Sequence, residues 1–212
     1  LVSDVNTWNE GSKTFHRVPK AIFIGEIHVN QYVIDSTDEF AARISQIEDE
    51  SVVLLDIGRQ RLEDVEAWGI QPLNVYQGMA MHALLDPVLD LNLLIGAAGS
   101  GKTILSLACA LELVVEQKRY SKIVVTRSTP PVAEDIGFLP GTEEDKMMPW
   151  LAAIHDNLEA LHEHDDNPEA SIRFALEKGN IQFKSLNFIR GRSIQDAIIL
   201  LDESQNLTPQ QL

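Results

Sequence analysis

The stretch LLIGAAGSGKTILSLACALE at residues 93–112 constrains this chain more than any other. An apolar run, LNLLI (91–95), stops abruptly at small residues. Gly96, Gly99 and Gly101 crowd together, Lys102 and Thr103 follow, and a second apolar run begins with helical spacing. Gly96, Gly101, Lys102 and Thr103 satisfy G-x-x-x-x-G-K-[ST] in the setting that the pattern requires: buried strand, turn, helix. Glycines let a backbone wrap closely with its N–H groups turned inward. A helix from about Lys102 to Gln117 adds its positive end. The main chain of Gly96, Ala97, Ala98, Gly99, Ser100 and Gly101, with Lys102 and Thr103, thus reads as a cradle for a nucleoside triphosphate. In it the Lys102 ammonium reaches the β- and γ-phosphates and the Thr103 hydroxyl ligates Mg²⁺. A merely flexible turn with a solvated lysine would not need a strand and a helix on either side.

Such a cradle needs an acidic partner for the metal. AIILLDESQ (197–205) supplies an apolar strand pattern ending in Asp202 and Glu203. A buried strand delivers Asp202 to its C-terminal end, beside the cradle if the two strands are neighbours. There Asp202 would hold Mg²⁺ through water and Glu203 would polarise the attacking water. An acidic pair at a strand end is otherwise a helix cap. A nucleotide-binding switch has no use for a carboxylate directly after the metal acid, whereas a hydrolase does. Gln205 is placed either to sense the γ-phosphate or simply to hydrogen-bond within its loop.

Along the chain two units are expected: a small β-rich domain over 1–65 and the nucleotide-binding core over 66–212. In the first, AIFIGEIHV (21–29), QYVIDS (31–36) and SVVLLDIG (51–58) read as strands of a twisted sheet or partial barrel. Between them STDEFAARISQIEDE reads as a helix, with Phe40, Ala41, Ile44 and Ile47 at helical spacing. RQRLEDVEAWGIQPLN (59–74) reads as a connector punctuated by Gly69 and Pro72. Then come a helix over 74–87, the strand 91–95, the cradle and its helix, strand KIVVT (122–126), helices over about 145–162 and 168–178, and strands over 181–188 and 197–202. Unalternated apolar strands among helices imply an α/β fold with a mostly parallel sheet.

Composition removes other classes. No apolar run is long enough to span a bilayer and no signal-peptide pattern opens the chain. Its first residue is Leu1, which suggests a fragment or a processed chain. A single cysteine, Cys109, sits in an apolar helical pattern, so no disulfide framework exists and a reducing cytoplasm suits the chain. The net charge of −15 argues against a broad nucleic-acid-binding face. The charge is uneven: residues 134–166 hold ten acids against Lys146 alone, whereas 167–212 hold five of each sign. A local cationic site near Lys184, Arg190 and Arg192 therefore stays open. His155, His162 and His164 fall at spacings that put only the first two on one helix face, which does not make a metal site. Trp8 and Trp68 read as buried or interfacial and Trp150 as a packing anchor.

Several stretches together resemble the PhoH-like family of P-loop ATPases: GIQPLNVYQGMA (69–80), GAAGSGKT (96–103), VVTRS (124–128), DIGFLPGTEEDKMMPWLAAIHDNLE (135–159), FIRGRSI (188–194) and AIILLDESQNLTP (197–209). They look like the branch in which the ATPase follows an RNase-like domain through a small β-rich segment, here residues 21–58. The resemblance implies a RecA-like core, ATP hydrolysis with Mg²⁺ coupled to work on RNA in the full-length protein, and assembly as a homo-oligomeric ring, a hexamer by family habit. It implies that Gln77 reads the adenine and that Arg127 and Arg190 approach the γ-phosphate. Ser204 stands where the family commonly has alanine. The family continues with a further strand beyond the point at which this chain stops at Leu212, so a C-terminally incomplete core is expected. A nucleotide-gated assembly module without a nucleic-acid substrate is the competing expectation; a small-molecule kinase is disfavoured, because Glu203 and the GFLPG–PW–DNLE segment have no part in one.

Overall fold

The computed structural model describes residues 5–35, 39–127, 155–162, 166–184, 186–189 and 193–208. The chain divides into two units, one of residues 1–65 and 71–82, the other of 66–70 and 83–212.

The first unit is an antiparallel sheet in the order β1-β2-β5-β4-β3, made of β1 (Asn6–Glu10), β2 (Lys13–Pro19), β3 (Tyr32–Ile34), β4 (Ala41–Ile47) and β5 (Ser51–Asp56). β1 and β2 pair from Asn6↔Arg17 to Glu10↔Lys13, which leaves Gly11 and Ser12 as a two-residue hairpin turn with Gly11 at φ +61. Two apolar clusters cover the sheet. Val18, Ala42, Ile44, Val52 and Leu54 form one, closed by Phe23, Ile27 and Phe40. Ala41, Leu55, Ile57, Leu62 and Val75 form the other, with Phe15, Tyr32 and Met79 against it. Leu62 belongs to α1 (Arg59–Glu63) and Val75 to α2 (Val75–Leu85).

Two expectations fail here, for identifiable reasons. The stretch read as a helix after Ser36 contains β4 instead. Its register shifts between Ile44 and Gln46, so Phe40, Ala42, Ile44 and Ile47 share one face. The bulge stretches one period-2 step to three residues and so imitates helical spacing. AIFIGEIHV is not a strand: a 3₁₀ turn spans Lys20–Ile22, Gly25 sits at φ +87, and Phe23 and Ile27 pin the loop while Ile24 stays fully exposed.

The second unit holds a parallel sheet in the order β7-β6-β8, from β6 (Lys122–Arg127), β7 (Ile181–Phe183) and β8 (Ala197–Asp202). Its helices are α3 (Lys102–Leu111), which runs on into a π-helical turn over Glu112–Glu116, α4 (155–161), α5 (Pro168–Lys178) and α6 (Leu186–Ile189). Asn167 caps α5 by accepting from the Ala170 amide at 3.2 Å, and Pro168 opens its first turn. Leu107, Ala110, Leu111 and Val114 pack with Ile123, Val125, Leu158, Ile172 and Ala175 into one core. A parallel strand exists only through its ladder partners. Among the described residues nothing pairs with 91–95, so the expected strand LNLLI has no regular structure, and Leu91, Leu93 and Ile95 are exposed. The strand expected over 181–188 ends at Phe183 and gives way to α6.

Candidate functional site

The glycine-rich loop owes its shape to two left-handed residues, Gly99 at φ +74 and Gly101 at φ +86. Gly101 is the N-cap of α3, a backbone position that a residue with a Cβ adopts only under strain. A Cβ at Gly96 would stand 3.1 Å from Ser100 Oγ, a close contact that the serine side chain would have to yield. The Ser100 amide donates to the Ala97 carbonyl at 3.3 Å and closes the turn. Lys102 Nζ lies over the loop and donates to the carbonyls of Gly96 (3.0 Å) and Ala97 (2.8 Å) and to Ser100 Oγ (3.4 Å). No side chain caps α3 and no acid stands in its first turn. Its first amides, which every helix leaves without intrahelical partners, have no acid of their own turn beside them. Residues 96–100 are exposed, and Lys102 and Thr103 are half-buried.

The acidic pair lies on the same unit. β6 and β8 run in register up to Arg127↔Asp202, so both end together. Ile198 and Leu200 pack on the core that holds Leu107 and Leu111 of α3, and Asp202 follows them on the same face by the alternation of a strand. α3 lies against β8. Only residues 117–121 separate the π turn from β6, so α3 runs antiparallel to β6 and its first turn points to the end of the sheet where β6 and β8 finish. Lys102, Thr103, Asp202 and the Arg127 backbone are thereby directed to one end of the sheet. The donor set of a threonine hydroxyl and a carboxylate is one of hard oxygens, which suits Mg²⁺.

Glu203 leaves the strand in the left-handed region (φ 53, ψ 37) and heads a 3₁₀ turn over Ser204–Asn206. Its Oε2 accepts a hydrogen bond from Gln205 Nε2. Gln77 belongs to the first unit. Asn74 Oδ1 accepts from the Gln77 amide (3.0 Å) and Gln77 Oε1 accepts from the Leu73 amide (2.7 Å), a reciprocal cap at the start of α2. Arg190 and Arg192 lie outside the described residues, as does most of the 135–159 stretch, including Trp150.

Sequence reasoning read Trp68 as buried or interfacial but missed its hydrogen bonds, and it missed the cap of α2. Trp68 is half-buried on the core, its indole N–H donates to buried His162 Nε2 at 3.3 Å, and its amide donates to Glu112 Oε2 at 3.3 Å. Trp68-Gly69, both at positive φ between bridged Ala67 and Ile70, was the available signal of a tight turn. The N-x-x-Q cap at Asn74 was the other. Burial, and secondarily the Glu112 charge, push the Cys109 thiol up to about 12, so it is not a nucleophile. Among the described residues no helix is long and apolar enough to cross a membrane.

Comparison with known proteins shows the family. The family profile described as PhoH-like protein matches residues 69–212. Protein PhoH2 of Bacillus subtilis (strain 168) is 47% identical over 146 residues, which cover 69% of this chain and 33% of that protein. Protein PhoH2 of Thermobispora bispora is 39% identical over 145 residues, 68% of this chain and 32% of that one. A PhoH-like protein of Mycobacterium leprae is 41% identical over 118 residues, 56% of this chain and 32% of its own length. The matched segment spans about a third of each of these relatives. With a phosphate-type loop, an acidic strand end on the same face and a profile match over most of its length, the chain belongs to the PhoH-like protein family.

Proposed function

We propose that this chain binds ATP with Mg²⁺ and hydrolyses it, and that in the longer protein the turnover is coupled to unwinding or processing RNA. The loop over 96–101 and the first turn of α3 take the phosphates, Lys102 leaving the loop carbonyls for the β- and γ-oxygens. Thr103 and Asp202 hold the metal, which neutralises phosphate charge when bound. Glu203 polarises the attacking water, and Arg127 and Arg190 complete the γ-phosphate site, in the same subunit or across a ring that is a hexamer in this reading. Gln77 reads the adenine, its cap fixing where its amide sits. The functional division in this reading is 1–65 and 66–212, although residues 71–82 group with the first compact unit, and the setting is cytoplasmic. The observation that supports this most is the direction of α3, which aims an uncapped, acid-free helix start at the strand end that carries Asp202.

The test is thermal unfolding with Mg-ATP. Ligand at a hundredfold over Kd stabilises a protein by about 2.7 kcal/mol, and Lys102→Ala should abolish that shift. A shift that survives the substitution refutes the cradle as the site. A second reading, in which nucleotide gates assembly and no nucleic acid is bound, is favoured by the net charge of −15. RNA that raises ATP turnover of the full-length protein at low salt decides for the first; a range of RNAs without effect decides for the second.

A further inference from the structure

We infer that Gln205 is a positioning residue that holds the Glu203 carboxylate in its working orientation, and is not itself a ligand of the nucleotide. This rests on the hydrolytic reading above. An unbroken strand would send the Glu203 side chain to the face of Ile199 and Leu201, away from Asp202. The left-handed backbone at Glu203 (φ 53, ψ 37) ends that alternation, at a cost of about 1 kcal/mol for a residue with a Cβ. Glycine would avoid the cost but supplies no carboxylate. Backbone geometry alone leaves the three side-chain torsions of a glutamate unfixed, and a base must be held to act on one water. The 3₁₀ turn supplies a restraint. Asn206 N donates to Glu203 O and Leu207 N to Ser204 O, each at 3.0 Å, so the backbone that carries residue 205 is fixed relative to residue 203. From that backbone Gln205 Nε2 donates to Glu203 Oε2. A neutral amide is suited to the task, because it orients the carboxylate without neutralising it as a lysine would. Sensing the γ-phosphate would require the same amide to turn from the carboxylate.

The experiment has two arms. In the nucleotide-free ¹⁵N-labelled chain, the side-chain amide signals of Gln205 should move on Glu203→Gln, with no nucleotide present to cause the change; unmoved signals would overturn the pairing. In steady-state hydrolysis by the full-length protein, Gln205→Ala should lower kcat about tenfold, the scale of a lost hydrogen bond to a charged group, with KM for Mg-ATP within about twofold. Gln205→Glu, which keeps the size and adds like charge, should lose more. A raised KM with unchanged kcat would make Gln205 a nucleotide ligand and sink the inference, as would wild-type kcat in Gln205→Glu. Absence of hydrolysis by the wild type would sink the proposed function and this inference together, whereas intact wild-type hydrolysis with an unaltered Gln205→Ala sinks this inference alone.

Discussion

Two strands of nearly the same sequence, SVVLLD (51–56) and AIILLD (197–202), meet different fates. The first, β5, lies between β2 and β4 in an antiparallel sheet, and Val52, Val53, Leu54 and Leu55 are all buried. Among the described residues the second, β8, pairs with β6 alone. Its Ile198 and Leu200 pack on the core while Ile199 and Leu201 remain 48% and 37% exposed. Both strands end in aspartate. Asp56 Oδ2 pairs with His16 Nε2 at 3.2 Å, and His16 Nδ1 meets Thr7 Oγ1 at 2.9 Å, which ties one sheet edge together. Asp202 ends beside Arg127 in register, on the face that α3 covers. An apolar run with a terminal acid is therefore no site by itself. The helix that faces it, and whether that helix brings phosphate-binding amides, decides the chemistry.

The largest expected effect separates the two acids. Asp202→Asn should lower ATP turnover about 10³-fold, on the order of 4 kcal/mol in the barrier, with an unfolding midpoint close to wild type. Asp56→Asn should leave turnover unchanged and cost under about 1 kcal/mol of stability, since its pair with His16 is partly exposed. Stability loss in the first variant, or activity loss in the second, would erase the distinction.

Next come the leucines. Leu54 is 4% exposed in the middle of β5, and Leu54→Ala should cost about 3 kcal/mol by urea unfolding. Leu201 is at the matching position but one nearer the end of β8, and Leu201→Ala should cost about 1 kcal/mol or less. Equal losses would mean that the outer face of β8 is covered in solution, which would turn the comparison around.

The sequence made the second unit more legible than the first, and particular residues show why. α3, α5, β6 and β8 follow plain apolar patterns, and the loop 96–103 follows a motif whose spacing is dictated by phosphate size. β4 was hidden because one bulge at Ser45 changes period 2 into an apparent period 3. β1 and β2 were hidden because their outer residues, such as Thr7, Asn9 and Thr14, are polar; only the Gly-Ser turn marked them. LNLLI was read as a strand from its own side chains, but a strand is a property of a pair, and no window of sequence contains its partner. At the site, the identity of Asp202 and Glu203 was legible. The left-handed backbone of Glu203 and its bond to Gln205 were not, because no propensity places glutamate at positive φ. Gln77 was read for its resemblance, while its capping bonds come from Asn74 and Leu73, three and four residues away.

The smallest expected effect tests the buried middle of α3, whose first turn carries the exposed chemistry. Cys109 is 1% exposed, and burial together with the Glu112 charge raises its thiol from 9.0 to about 12. A raised acid favours the protonated form in the folded state. The unfolded thiol begins to ionise near pH 9 while the folded one does not, so its contribution to stability is fully present below about pH 9 and is lost as pH rises toward about 12. At neutral pH it therefore predicts no pH dependence at all. The measurement is the difference in urea midpoint between the wild type and Cys109→Ala, followed from pH 7 to 10.5: level at first, then falling against the wild type. Thiol reagents at pH 8 should label the chain only once it is unfolded, because the reactive species is the thiolate. A level difference up to pH 10.5, or rapid labelling of the native chain, would mean that the middle of α3 is open to water. The core that aims its first turn at Asp202 would then be looser than the packing of Leu107, Leu111 and Ile123 describes.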